Sequence, residues 1–289
     1  MSARQAFRRC TGMAQVLGIS LILIGSSAGS AAQQGVAATD PAPTLSAERI
    51  AEIVASPDRS EADRVNDKRR MPGRMLAFIG VRPGMAVLDL SAGGGYTTEL
   101  LARSVGPTGR VYGQSAPRVQ RTPPTVPEGA AVPLAAPSAA SAPARQSLAT
   151  RAANPLAGNI IAVVQPFESP VPDEPATAGL DLVTLMFNYH DLGHMGVDRA
   201  RMNQAVFAAL KPGGLYVIAD HSGRPGTGIS EAGTLHRIEE AFLRAEVESA
   251  GFKLLDVGNF LRNPSDPRDR NTPEPPQPKD EFVLKFVKP

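Results

Sequence analysis

The chain is poor in cysteine: its single one, Cys10, sits near the start, and none occurs beyond residue 32. Once the leading segment is set aside, disulfide staples and thiolate chemistry are both excluded. A hydrophobic core must then carry the fold. Long apolar runs are missing too. The best of them, residues 13–24, falls short of the ~20 residues that a membrane-spanning helix needs. Arg4, Arg8 and Arg9 precede this run, and the small residues of 25–32 follow it. That three-part layout is a secretory signal, with cleavage expected before Gln33. Cys10 lies ahead of the apolar run and is badly placed for lipid attachment at a mature N-terminus. No stable membrane anchor is expected, and the location is read as periplasmic or secreted.

Neither sign of charge dominates. The sequence has 30 Lys+Arg against 28 Asp+Glu, and removal of the three signal arginines leaves 27 against 28. That balance gives no reason to expect nucleic acid as a partner. Residues 33–44 read as an Ala/Pro-rich linker with nothing to bury, and 45–289 as one α/β domain.

Within that domain, apolar periodicity predicts helices over 45–55, from the Ser60 cap to about 70, and around 75–79. Strands are predicted at 85–90, 109–113, 159–165, 180–187, 215–220, 253–260 and 281–287. Between them fall helices at 96–105, 199–210 and 234–250. Strand–helix alternation of this kind means a parallel sheet with right-handed crossovers. Two stretches resist it. Residues 115–143 hold seven prolines and 264–278 hold six, so both are read as loops or mobile flaps. The first marks a Pro/Ala-rich insertion at 115–145.

Asp89, Ser91, Ala92, Gly93, Gly94, Gly95 and Tyr96 make a strand end, a tight glycine turn and a helix start. Glycines there let a ligand approach the backbone, and helix N–H groups point at it. A dinucleotide fingerprint would need a glycine at 98, where Thr98 stands. A triphosphate loop would need Gly-Lys-Ser/Thr, which is missing. The acid before the loop and the glycines at 93 and 95 instead resemble the first motif of class I S-adenosylmethionine-dependent methyltransferases. Lys211-Pro212-Gly213-Gly214 before the fifth strand and Ala250-Gly251-Phe252 before the sixth extend the likeness. Further pieces resemble a subgroup of exported methyltransferases: Ser56-Pro57-Asp58-Arg59, Asn188-Tyr189-His190-Asp191, Asp220-His221-Ser222, Leu235-His236-Arg237-Ile238 and Arg262-Asn263-Pro264.

The resemblance implies a doubly wound, seven-stranded, mostly parallel Rossmann-like sheet with one antiparallel strand. It also implies S-adenosylmethionine as cofactor and a small-molecule or other, unidentified methyl acceptor. Asp89, Ser91, Gly93, Gly95, Tyr96, Gln114, Glu168 and Asn188 are the positions expected to bind the cofactor. Three of them depart from the pattern. Ser91 replaces a loop glycine, Gln114 replaces the acid that ends the second strand, and Glu168 follows Phe167 where an Asp is usual.

Histidine is scarce as well, with only His190, His194, His221 and His236. The first three follow strand ends that should face one rim, beside the cofactor cleft. Methyl transfer needs donor and acceptor aligned and any acceptor proton removed. His190, Asp191, Asp220 and His221 are the expected catalytic set, with His190 or His221 as base. Arg59, Arg64 and Arg237 are solvated or meet an anionic acceptor or the cofactor carboxylate. No metal is expected, because Gly193 and Gly196 place His194 in a loop without helical spacing to His190. Two other readings stay open: an exported binding module without catalysis, and a His-lined metal enzyme.

Overall fold

The computed structural model describes residues 43–117, 146–271, 273 and 277–289. The expected signal segment, most of the linker and nearly all of the insertion lie outside the described residues. Three helices lead in. α1 (Ala47–Ala55) and α2 (Glu61–Arg70) start at Ser46 and Ser60, whose side chains each accept from the backbone N–H three residues on. α3 (Pro72–Ile79) starts on a proline, whose missing N–H costs nothing at that position.

The alternation then runs β1 (Ala86–Leu90), α4 (Tyr96–Val105), β2 (Arg110–Ser115), α5 (Leu148–Ala152), a short 3₁₀ turn and β3 (Ile160–Val164). The second half is α6 (Asp173–Ala178), β4 (Leu180–Met186), α7 (Tyr189–His194), α8 (Arg199–Ala209) and β5 (Leu210–His221). It closes with α9 (Ala232–Leu235), α10 (Glu240–Ser249), β6 (Lys253–Gly258) and β7 (Glu281–Val287). The sheet order is β3-β2-β1-β4-β5-β7-β6. Only β7 runs against its neighbours, pairing antiparallel with both β5 and β6. The expected doubly wound, seven-stranded sheet with one antiparallel strand is the observed one.

The central strands read as apolar runs because both faces are covered. Their side chains alternate. Val87, Val111, Leu182 and Val217 face a core shared with α1, α3 and α4. Leu88, Tyr112, Val183 and Tyr216 face a second core shared with α8 and α10. Strand order reverses between β1 and β4, so their carboxyl ends open a crevice.

Two expectations need correction. The helix predicted over 234–250 is two helices, broken at His236 in a left-handed conformation (φ 51°). Residues 237–239 run extended beside β5, where Ile238 N–H donates to His221 O and Gly223 N–H to Ile238 O. The break lets Arg237, fully buried, reach Asp266 and the carbonyls of Ser222 and Arg270. That ion pair anchors the start of the proline-rich stretch, whose residues 264–271 form a loop, one of the two forms expected there. Secondly, His194 does not lie in a loop: it ends α7.

Candidate functional site

β1 delivers Asp89 to the crevice floor. Its Oδ1 accepts from Thr184 and its Oδ2 from Thr98, at 2.7 and 2.6 Å. Burial pushes its carboxyl up to about 6, against the pull of those two hydroxyls. A folded-state value above the unfolded one means that folding is favoured while the group is protonated. This contribution is complete below about pH 4 and is lost as pH rises through 6. Asp89→Asn, which cannot ionise, is therefore expected to gain about 3 kcal/mol relative to wild type between pH 4 and pH 8. Urea unfolding at the two pH values checks this, and a pH-independent difference would refute it.

The chain then turns. Ser91 takes a left-handed conformation (φ 55°), so it holds the shape that glycine would adopt there. The local fit compensates the strain. Its N–H donates to Gln114 Oε1 and its Oγ accepts from Asn188 Nδ2. Gly95, at φ 79°, caps α4. Here glycine is required twice, because a Cβ would also lie 2.8 Å from Leu148 and 2.9 Å from Arg151.

Gln114 is fully buried, and its amide is used inside the protein. Besides Ser91, it donates to Gln165 O at 2.6 Å. In this structure it shapes the loop instead of facing a ligand. Glu168 lies away from the cleft and accepts from Asp198 N–H. Asp89, Ser91, Gly93, Tyr96 and Asn188 do line one cleft of about 350 Å³, whereas Gly95 supports it from behind.

The cleft's other wall comes from α2, whose charged residues carry no local signal of such a use. Asn66, Arg69 and Arg70 line it. Arg70 stacks over Phe187 at 4.3 Å and over Tyr96 at 5.6 Å. Among the described residues it makes no hydrogen bond or ion pair. Burial, then repulsion from Arg69, lowers its guanidinium to about 10, so it stays charged at neutral pH. The arginines singled out from sequence are committed elsewhere. Arg59 forks onto Asp67 and donates to Val54 O, Arg64 donates to Ser56 O, and Arg237 is the buried partner of Asp266. Tyr96 donates to the same Asp67, and burial raises its hydroxyl well above the usual phenol range.

The histidines gather beside this cleft. Asp220, fully buried at the end of β5, accepts from the N–H groups of His190 and His221 and from His190 Nδ1 at 2.6 Å. Burial opposes charge on His190, but the carboxylates of Asp220 and Asp191 prevail and its pKa is raised. The His221 ring lies 5.7 Å from that of Phe187, a residue of the cleft wall, and 5.4 Å from that of His190. Burial lowers its pKa. Its Nδ1 is 2.9 Å from Glu281 Oε1, an acid that Arg69 also holds. His194 is exposed and points elsewhere, its Nδ1 packing near Gly233.

Comparison with known proteins agrees with this layout. Residues 49–119, which include the glycine loop and α2, match the profile of the protein-L-isoaspartate(D-aspartate) O-methyltransferase family. A 40-residue stretch is 55% identical to the protein-L-isoaspartate O-methyltransferase of Aeropyrum pernix. It covers 14% of this chain and 15% of that relative. Among solved structures, a chain of the complex between the Haloferax volcanii Trm112 methyltransferase activator and a methyltransferase superposes with a TM-score of 0.50. It is 17% identical, over 85% of this chain and all of that one. A SAM-dependent methyltransferase from Aquifex aeolicus aligns over the same shares at 15% identity, with a TM-score of 0.47. At such identities the likeness is one of fold, and the fold is that of the class I methyltransferases.

Proposed function

We propose that this chain is an S-adenosylmethionine-dependent methyltransferase whose cofactor occupies the cleft between the glycine loop and α2. The observation that carries this reading is Arg70, a cation without an ion pair among the described residues, held over Phe187 and Tyr96 in the same cleft as the loop. The cofactor's amino-acid end bears a carboxylate, which a guanidinium receives with two parallel hydrogen bonds. The N–H groups at the start of α4 and the backbone of Gly93 and Gly94 form the opposite wall. When bound, the cofactor supplies a methyl group on a sulfonium, a centre that needs alignment more than activation.

His221 is the residue placed to take an acceptor proton. Glu281 lies beside its Nδ1, which leaves Nε2 for the acceptor, and its ring flanks Phe187 at the cleft. Asp220 holds the rim from beneath through two backbone N–H groups. A base is of use only for an acceptor that carries a proton, such as a hydroxyl or an amine. An isoaspartyl carboxylate, the group in the name of the matching family, is already ionised at neutral pH and needs none. We therefore place the acceptor among protonated nucleophiles, and outside the cytoplasm on the pattern of residues 1–32.

A binding module without catalysis has one observation in its favour. The polar end of Gln114 is used up inside the protein, so position 114 itself offers nothing to the ribose hydroxyls. Isothermal titration with S-adenosylmethionine and S-adenosylhomocysteine decides first whether the cofactor binds. Micromolar affinity, ~8 kcal/mol, is expected for both. No binding at millimolar cofactor would sink the reading. If both bind, release of S-adenosylhomocysteine with hydroxyl and amine acceptors separates the enzyme from the binder.

A further inference from the structure

His190, Asp191 and His236 bring three metal-ligating atoms within 4.8 Å of one another beyond the ends of β4 and β5. His190 Nε2 lies 3.1 Å, and His236 Nδ1 2.9 Å, from the same oxygen, Asp191 Oδ1. None of the three lines the glycine-loop cleft. We propose that they form a binding site for a divalent transition-metal ion of the zinc class, independent of the cofactor reading.

The tautomer argues for it. Asp220 is fully buried, and two backbone N–H groups fix its carboxylate. It accepts a hydrogen bond from His190 Nδ1–H, and in that neutral tautomer the Nε2 lone pair faces Asp191. Two acceptors 3.1 Å apart repel unless a cation lies between them. A proton on His190 is one such cation, and a metal ion is the other. Ligands bound tetrahedrally at ~2.0–2.1 Å stand roughly 3.3 Å apart, close to the spacings seen here. A carboxylate behind a ligating imidazole is also the usual support of a metal site, because it orients the ring and raises its basicity.

Exposure is graded across the site. The side chain of His190 is 3% exposed, that of Asp191 28% and that of His236 42%. One side is thus walled by protein and the other open, which leaves coordination positions for water or a ligand. Two histidines and one carboxylate with open positions suit zinc and its neighbours. The site depends on the broken helix, because only the left-handed turn at His236 and the extended segment after it bring that ring over α7.

The test uses the full chain, untagged with histidines and stripped with a chelator. Titration with Zn²⁺ by calorimetry, and with Co²⁺ by visible absorption, should give one equivalent bound at micromolar or tighter affinity. His236→Asn and Asp191→Asn should each weaken binding at least tenfold. Asn tolerates the left-handed conformation at 236, so that variant should keep its fold. Asp220→Asn, behind the site, should weaken binding about 10- to 100-fold. His194→Asn should change nothing. The proposal is overturned if Zn²⁺ does not bind at millimolar concentration. It is equally overturned if His236→Asn and Asp191→Asn bind as wild type does, which would mark a proton-bridged cluster with ions adhering elsewhere.

Discussion

Arg70→Gln is expected to weaken S-adenosylhomocysteine binding by about 10- to 100-fold while leaving the protein folded. The magnitude follows from losing a charged hydrogen-bond donor, about 1.5–3 kcal/mol. Arg70 is suited to this role because its charge is unspent. It has no ion pair or hydrogen bond among the described residues, and its stacking on Phe187 and Tyr96 holds it at the cleft. Removing it strands no buried partner, so stability should move by about 1 kcal/mol or less. Arg70→Lys should fall between, because an ammonium keeps the charge but loses the fork. Arg49→Gln serves as the control, since Arg49 pairs with Glu52 on the surface of α1, away from the cleft. Calorimetric titration of the four proteins checks the order. Equal affinities for wild type and Arg70→Gln would move the carboxylate subsite elsewhere.

Arg151→Met should cost about 3–5 kcal/mol of stability, the largest single effect expected from any of these changes. Arg151 is 3% exposed and meets two carboxylates that are also buried. It forks onto Asp63 at 2.7 and 2.8 Å and also pairs with Glu99. Its Nε donates to Gly94 O, so the same side chain ties α2, α4 and α5 to the glycine loop. Methionine fills much of the volume but leaves two acids without a counter-charge in low dielectric. Glu99 keeps Arg103, which limits the damage on that side, whereas the Asp63 carboxylate has no second ion pair among the described residues. Urea unfolding measures the loss. A cost below about 1 kcal/mol, as for an exposed pair, would mean that water reaches this network. The cofactor cleft should loosen along with it, because Asp63 and Arg151 both line its wall.

The glycine turn and the strands on either side were legible because their signals are local. An apolar run, a Gly-rich turn and a helix start lie within about fifteen residues, and each element is dictated by its own neighbours. The same holds for the Ser60 cap and for the stop after Ala209. Ser91 departs from the glycine of the pattern, and the structure shows why it is tolerated. Asn188, 97 residues away, and Gln114 hold a left-handed serine in a glycine's place. The break at His236 was hidden for the opposite reason. Residues 234–250 carry an adequate helical pattern, and tertiary contact overrides it by giving Arg237 a buried acid.

Side-chain partnership is where local reading stopped. Arg59, Arg70, Arg151 and Arg237 look alike in sequence, yet among the described residues three hold ion pairs and Arg70 holds none. The choice rests on acids brought close by folding, such as Asp63, 88 residues from Arg151. The histidines behave likewise. That His190 and His221 follow strand ends on one rim was implied by the resemblance carried by the motifs, whereas alternating apolar runs alone gave only a parallel sheet. Which of them meet was decided by the tertiary structure: a buried Asp220 orients His190, and a helix break turns His236 onto Asp191, 45 residues away. Periodicity is a property of neighbours along the chain. The pairing of charges in low dielectric is a property of neighbours in space, where one misplaced partner costs several kcal/mol.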